Sequence, residues 1–197
     1  MIRPLYFHNP NQEGFEAIIK HLHSKNYKFI SIEELYSRLE KNDTKGKLAY
    51  ISFDDGWQGN LKLIPIIEKY NVHITIFIAV NPIMSGNFWW EFVAKKVGYT
   101  QMQNFKNLPH DEFESQLKKI KTEVADLQRS AMTIDELETI TKHPLISIQS
   151  HTINHPILTK LPDDLLDFEL SESQKQLEKI TGKSIFAFSY PNGSISH

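Results

Sequence analysis

The chain has 197 residues, enough for one domain with a substantial core or at most two small ones. Its 22 basic and 24 acidic side chains nearly balance, without the basic excess that marks a general nucleic-acid or anionic-membrane binder. There is no cysteine, which excludes disulfides, thiolate metal sites and cysteine nucleophiles and leaves His, Asp and Glu as the available metal ligands.

The N-terminal stretch Met1-Ile2-Arg3-Pro4-Leu5-Tyr6-Phe7 lacks the apolar core of a secretion signal. No window approaches the roughly 18 apolar residues needed to cross a bilayer. The expectation is therefore no membrane span and, by default, a cytoplasmic location.

Leu5 to Phe7 has the makings of a short strand, followed by the polar turn Asn9-Pro10-Asn11. Phe15, Ile18, Ile19 and Leu22 fall at helical spacing. Phe29-Ile30 is too short to classify, and Ser31-Ile32-Glu33-Glu34 is a capping-box pattern opening a helix through Leu39. The apolar run Leu48 to Phe53 reads as a buried strand that ends in Asp54-Asp55-Gly56-Trp57. Leu61, Ile64 and Ile67 mark a helix ending near Tyr70, with Pro65 implying a kink or a later start. Ile74 to Val80 reads as a second fully buried strand. Strand, helix and so apolar a strand predict a parallel sheet covered by helices.

Between Asn81 and Thr141 the pattern turns helical. Phe88-Trp89-Trp90-Glu91-Phe92 opens one helix, with the Trp pair read as core packing rather than a sugar platform. Phe113, Leu117, Ile120, Val124 and Leu127 predict a long amphipathic helix from near Asp111, and Thr133-Ile134-Asp135-Glu136 is a further capping box. This stretch reads as a helical insertion around 81–141, not as a separate domain. Leu145 to Gln149 resumes the strand pattern and runs into Ser150-His151-Thr152-Ile153-Asn154-His155-Pro156. Pro162 opens a helix carrying Leu165, Leu166, Leu170, Leu177 and Ile180, closed by Gly182. Ile185 to Phe188 predicts a last strand, ending in Ser189-Tyr190-Pro191-Asn192-Gly193.

Three apolar runs thus end in reactive or turn-forming groups. In parallel α/β folds the C-terminal strand ends share one face, where active sites collect. Two carboxylates at the end of a buried strand repel unless a metal, a shared proton or a cation offsets them. Taken alone, Asp-Gly is equally a solvated hairpin turn. Two histidines four apart can chelate one ion, here from a loop, because Pro156 disfavours helical geometry at His155.

These three segments resemble the motifs of the polysaccharide deacetylases (the NodB homology domain, carbohydrate esterase family 4). Phe53-Asp54-Asp55-Gly56 is similar to the first motif, with Ser52 where a threonine is usual. Ser150-His151-Thr152-Ile153-Asn154-His155-Pro156 is similar to the second, and Phe188-Ser189-Tyr190-Pro191-Asn192-Gly193 to the third. The resemblance implies a single domain over 1–197, a distorted (β/α) barrel that is incomplete at its C-terminus. It also implies metal-dependent removal of acetyl groups, N-acetyl before O-acetyl, from a sugar or polysaccharide.

Carried over by position, the resemblance implies Asp55, His151 and His155 as ligands of a divalent ion, zinc first and cobalt, nickel or manganese as alternatives. It implies Asp54 as general base, a backbone N–H near Asn192 as oxyanion donor, and Tyr190 and Trp57 as substrate contacts. Ser189 stands where many relatives carry an arginine that pairs with the catalytic aspartate. The family's tryptophan segment and its general-acid histidine belong after Gly193, and His197 is not expected to substitute. The aromatic insertion resembles relatives associated with surface-glycan biosynthesis. A non-catalytic metal- or glycan-binding relative, and a hydrolase of another non-peptide C–N bond, remain the alternatives, and the oligomeric state is not legible.

Overall fold

Leu48–Phe53 forms strand β3, every residue of it buried, at the centre of a five-stranded sheet in a computed structural model that describes residues 1–193. All pairings are parallel. Strand β1 (Ile2–Phe7) follows one edge of β3 throughout, from Ile2 against Leu48 to Phe7 against Phe53. The other edge is shared. Strand β2 (Lys28–Ile30) pairs with Leu48 to Tyr50, and β4 (Ile74–Ile78) pairs with Ile51 to Phe53. Strand β5 (Ile146–Ser150) lies on the far side of β4. The expected α/β architecture is present, and the sheet is not closed into a ring among the described residues.

Helices cross between the strands as parallel pairing demands. Helix α1 (Gln12–Ser24) is capped by the Asn11 side chain on Gly14 N–H, and α2 (Ile32–Glu40) by Ser31 on Glu34 N–H. The segment after Gly56 resolves the Pro65 question: a 3-10 turn, Gln58–Leu63, precedes α3 (Ile64–Lys69), so Pro65 sits in the first helical turn, where its missing N–H costs nothing.

Between β4 and β5 run α4 (Val80–Ser85), α5 (Trp89–Val97), α6 (Tyr99–Phe105), α7 (His110–Glu123) and α8 (Ile134–Ile140). This is the expected insertion. Trp89, Val93, Met102, Phe105, Phe113, Leu117 and Ile120 give it an apolar cluster of its own, beside the main core on the sheet. Helix α9 (Asp163–Thr181) follows β5 and ends at Gly182 in left-handed conformation. No helix of the described residues is long and apolar enough to cross a membrane.

Three expectations are corrected. Helix α7 stops at Glu123, and Val124 and Leu127 lie beyond it: the backbone is already extended at Val124 (φ −99°, ψ 104°) and left-handed at Asp126, and Lys95 Nζ takes the carbonyls of Ala125 and Asp126. Ile185 to Phe188 is not a ladder strand and makes a single parallel bridge, Phe188 to Ser150. Gln149 Oε1 accepts the N–H groups of Phe186 and Ala187 instead. On α9 the buried stripe is Glu169, Ser173, Leu177 and Thr181, while Leu165 is exposed.

Candidate active site

The turn after β3 brings both aspartates to the C-terminal edge of the sheet. Asp54 N–H donates to Phe7 C=O, the Asp55 carbonyl accepts from Ala79 N–H, and the Gly56 carbonyl accepts from Met132 N–H. Asp55 (φ 78°) and Gly56 (φ 91°) both occupy the left-handed region. A Cβ on Gly56 would stand 2.8 Å from Ile78 Cδ1, so glycine is required by contact as well as by φ.

After β5, His151 N–H donates to Ile78 C=O, and the chain passes through left-handed residues at Thr152 (φ 69°) and His155 (φ 56°). The segment is a loop, as Pro156 implies. Buried Glu169 of α9 fastens it: the carboxylate accepts from Ile153 N–H at 2.8 Å, Asn154 N–H at 2.9 Å and the Asn154 side chain. Thr152 Oγ1 accepts from His155 N–H.

These two turns converge. Asp55 Oδ1 lies 3.4 Å from His151 Nε2 and 3.3 Å from His155 Nε2, and ligand atoms of all three residues fall within 4.8 Å of one another. All three side chains are buried, Asp55 to 1% exposure. His151 Nδ1 is 2.9 Å from the Ser189 carbonyl, which only accepts, so Nδ1 carries a proton and Nε2 is the ring nitrogen turned to the cluster. The His155 ring packs edge-on to Trp90, and its backbone carbonyl accepts from Trp89 Nε1. Trp57 Nε1 donates to Asp55 Oδ2 at 2.8 Å, leaving Oδ1 without a hydrogen-bond donor.

The electrostatics suit a cation. Burial pushes the Asp55 carboxyl up, but the two imidazoles against it outweigh this and hold it well below the usual carboxylate range. Burial also lowers the His155 pKa, keeping the ring neutral as a metal ligand must be. Two imidazoles and one carboxylate oxygen without a donor make a set of groups that fits a divalent metal ion. Asp54 stands beside the cluster with Oδ1 buried and unpartnered. Burial raises its pKa; His151 opposes this, Asp55 adds to it, and His8 opposes it.

The cluster lines a cavity of about 1090 Å³. Trp57, Tyr190 and Asn192 also line it, so all seven residues singled out from the sequence come together. Asn192 adopts φ 60° with its side-chain amide nitrogen buried and unpartnered, and Tyr190 is half exposed, its ring tilted against Phe188. His197 lies outside the described residues. Sequence reasoning missed His8, Glu169 and the insertion's contribution of Trp90 and Lys106 to the cavity. His8 alone left a signal, as the residue that follows the Leu5–Phe7 strand.

Residues 41–197 match the family profile described as polysaccharide deacetylase. The chain belongs to the polysaccharide deacetylase family. A curated relative, YxkH of Bacillus subtilis (strain 168), named for the polysaccharide deacetylases, is 24% identical over 186 residues, covering 93% of this chain and 50% of the relative. The chain therefore spans about half the length of the curated relative it matches. Among solved structures, the Streptococcus pyogenes deacetylase PplD in complex with acetate superposes with a TM-score of 0.68 at 20% identity, over 99% of this chain and 74% of that one. A polysaccharide deacetylase from Bacillus cereus gives 0.66 at 20% identity, over 99% and 52%. At that identity the two structures establish the shared fold. Polysaccharide deacetylases are metal-dependent in general, and Asp55, His151 and His155 form a group able to hold a metal.

Proposed function

We propose that this polysaccharide deacetylase homologue is a metal-dependent hydrolase that removes acetyl groups, N-acetyl before O-acetyl, from a sugar or polysaccharide, and that residues 1–197 act as one domain. The observation that carries the reading is the meeting of Asp55 Oδ1 with two imidazole Nε2 atoms beside a second, unpartnered aspartate in one large cavity. Asp55, His151 and His155 hold the divalent ion, with zinc preferred by the donor set. When bound, the ion acts as a Lewis acid on the acetyl carbonyl and acidifies water.

The protein's own groups supply the rest. Asp54 takes a proton from water at its buried Oδ1 and is the general base; its raised pKa brings it nearer to neutral pH than an ordinary aspartate. The backbone at Asn192 offers an N–H to the developing oxyanion. Trp57 holds Asp55 in orientation through its indole N–H while its ring forms part of the sugar surface, and Tyr190 presents a half-exposed ring to the same sugar. Without an arginine at position 189, the side chains that act on Asp54 are His151, Asp55 and His8, the two imidazoles opposing the effect of burial.

The test pairs two measurements. Apo-protein is titrated with zinc or cobalt, and acetate release is followed on a panel of N- and O-acetylated oligosaccharides. The expected result is one equivalent of metal for wild type, loss of binding in Asp55→Ala and His151→Ala, and loss of acetate release with metal retained in Asp54→Asn. Metal binding without acetate release from any substrate, equal in wild type and Asp54→Asn, would instead support a non-catalytic binder.

A further inference from the structure

Helix α6 presents one face to the cavity. Tyr99 and Gln103 of α6 and Lys106, the residue that caps its C-terminal end, follow at intervals of four and three residues, the spacing that aligns side chains along a helix, and all three line the cavity that holds Asp55, His151 and His155. Tyr99 is 71% exposed, a ring open to a ligand. Among the described lining residues Lys106 is the one lysine or arginine.

The position of Lys106 is built. Its carbonyl accepts from Lys160 Nζ at 2.7 Å, and the same ammonium takes Leu108 C=O at 2.9 Å. Lys160 belongs to the 3-10 turn Leu158–Lys160, shortly after His155, so the end of α6 is tied to the segment that carries one of the cluster's imidazoles. Lys106 is half-buried as a residue, and its ammonium forms no ion pair among the described residues; burial lowers its pKa, and the charge acting on it is Asp55. Glu91 shares the wall, but its carboxylate is taken up by Phe88 N–H and the Ser130 hydroxyl. A partly desolvated cation facing an open cavity is costly until an anion meets it.

We propose that the α6 face is a subsite for an anionic sugar unit: Tyr99 packs on the ring, Gln103 reads a hydroxyl, and Lys106 pairs with a carboxylate or phosphate. This rests on the deacetylase reading of the neighbouring cluster, because it assigns the anion to the same substrate whose acetyl group meets Asp54 and Asp55.

The test is equilibrium binding to the full chain with zinc present, in an Asp54→Asn background that prevents turnover, followed through tryptophan fluorescence, two of the three indoles, Trp57 and Trp90, lining the cavity. The probes are N-acetylglucosamine, its 1-phosphate, and N-acetylmuramic acid as the carboxylate arm. At low salt an anionic probe is expected to bind about tenfold tighter than the neutral sugar, the advantage shrinking in high salt. Lys106→Met removes that advantage and leaves neutral-sugar affinity and melting temperature unchanged, and Lys106→Arg retains it. Preference for the phosphate identifies a phosphate-linked sugar, and preference for the carboxylate an acidic sugar. Equal wild-type affinities, or an advantage that survives Lys106→Met, overturn the subsite. Acetate release by the unmutated protein, with equal probe affinities, sinks the subsite alone. A Lys106-dependent preference without acetate release from any substrate sinks the deacetylase reading and keeps the anion site.

Discussion

Trp57 and Asp55 are joined by one hydrogen bond that divides the carboxylate in two: Oδ2 accepts the indole N–H at 2.8 Å, and Oδ1 is left to face the imidazoles of His151 and His155. Groups that orient a ligand in this way typically contribute about 10- to 100-fold in metal affinity. Trp57→Phe keeps an aromatic ring against Phe88 but removes the donor. Zinc affinity, measured by competition with a chromogenic chelator, is expected to fall by about that factor, with little change in melting temperature. An affinity within about twofold of wild type would show that the bond does not set the carboxylate.

Glu169 connects α9 to the loop that carries both histidines, through three hydrogen bonds to one buried carboxylate. Glutamine at 169 must turn its NH2 group toward one of those donors. A loss of about 2–3 kcal/mol in urea unfolding is expected, together with weaker zinc binding. Glu172→Gln, half buried one turn further along the same helix, serves as the control and should change stability by no more than about 0.5 kcal/mol.

Gly56 and Gly182 share positive φ but not surroundings. A Cβ at 56 would press on Ile78 and Ile83, and one at 182 would meet nothing within 4 Å. Gly56→Ala is expected to cost about 2–4 kcal/mol, backbone strain plus repacking, and Gly182→Ala about 1 kcal/mol. Equal costs in chemical denaturation would mean that φ alone sets the requirement at 56.

Glu16 ties α1 to α3 through Lys69 Nζ at 2.8 Å and Tyr70 Oη at 3.0 Å. The Lys69 hydrogen bond, then that of Tyr70, lowers its pKa to about 2. A carboxyl depressed on folding stabilises the native state above its unfolded pKa, and that contribution fades as pH falls toward the folded value. Glu16→Gln is therefore expected to melt slightly below wild type at about pH 6 in low salt, the two curves converging toward about pH 2. The pair is solvent-exposed, so high salt should shrink the difference. A gap that persists at the acid end would assign it to something other than the ion pair.

Much of the fold was legible because β3 and β4 are apolar on both faces, a pattern that buried parallel strands produce and solvated ones do not. β2 was not, since three residues carry no periodicity. Ile185 to Phe188 had the composition of a strand, yet the Gln149 side chain takes two of its N–H groups, a long-range competition that composition does not encode. The site was readable where chemistry is local: paired aspartates at a strand end, two histidines before a proline. Glu169 was invisible because a glutamate on an amphipathic helix looks like solvated surface until its loop is folded against it. Lys106 was hidden for the related reason that only the packing of α6 turns its face toward Asp55.

The left-handed residues around the cluster place durability and chemistry in opposition. Asp55, Thr152, His155 and Asn192 each sit where a side chain is disfavoured, at about 1–3 kcal/mol apiece. Glycine would relax every one of them. A search for heat-resistant variants that scored folding alone would thus be drawn to the turns that build the site, two of the three proposed metal ligands, Asp55 and His155, among them, and would erode that site while improving the scaffold. Engineering this chain for robustness has to begin by exempting its least comfortable residues.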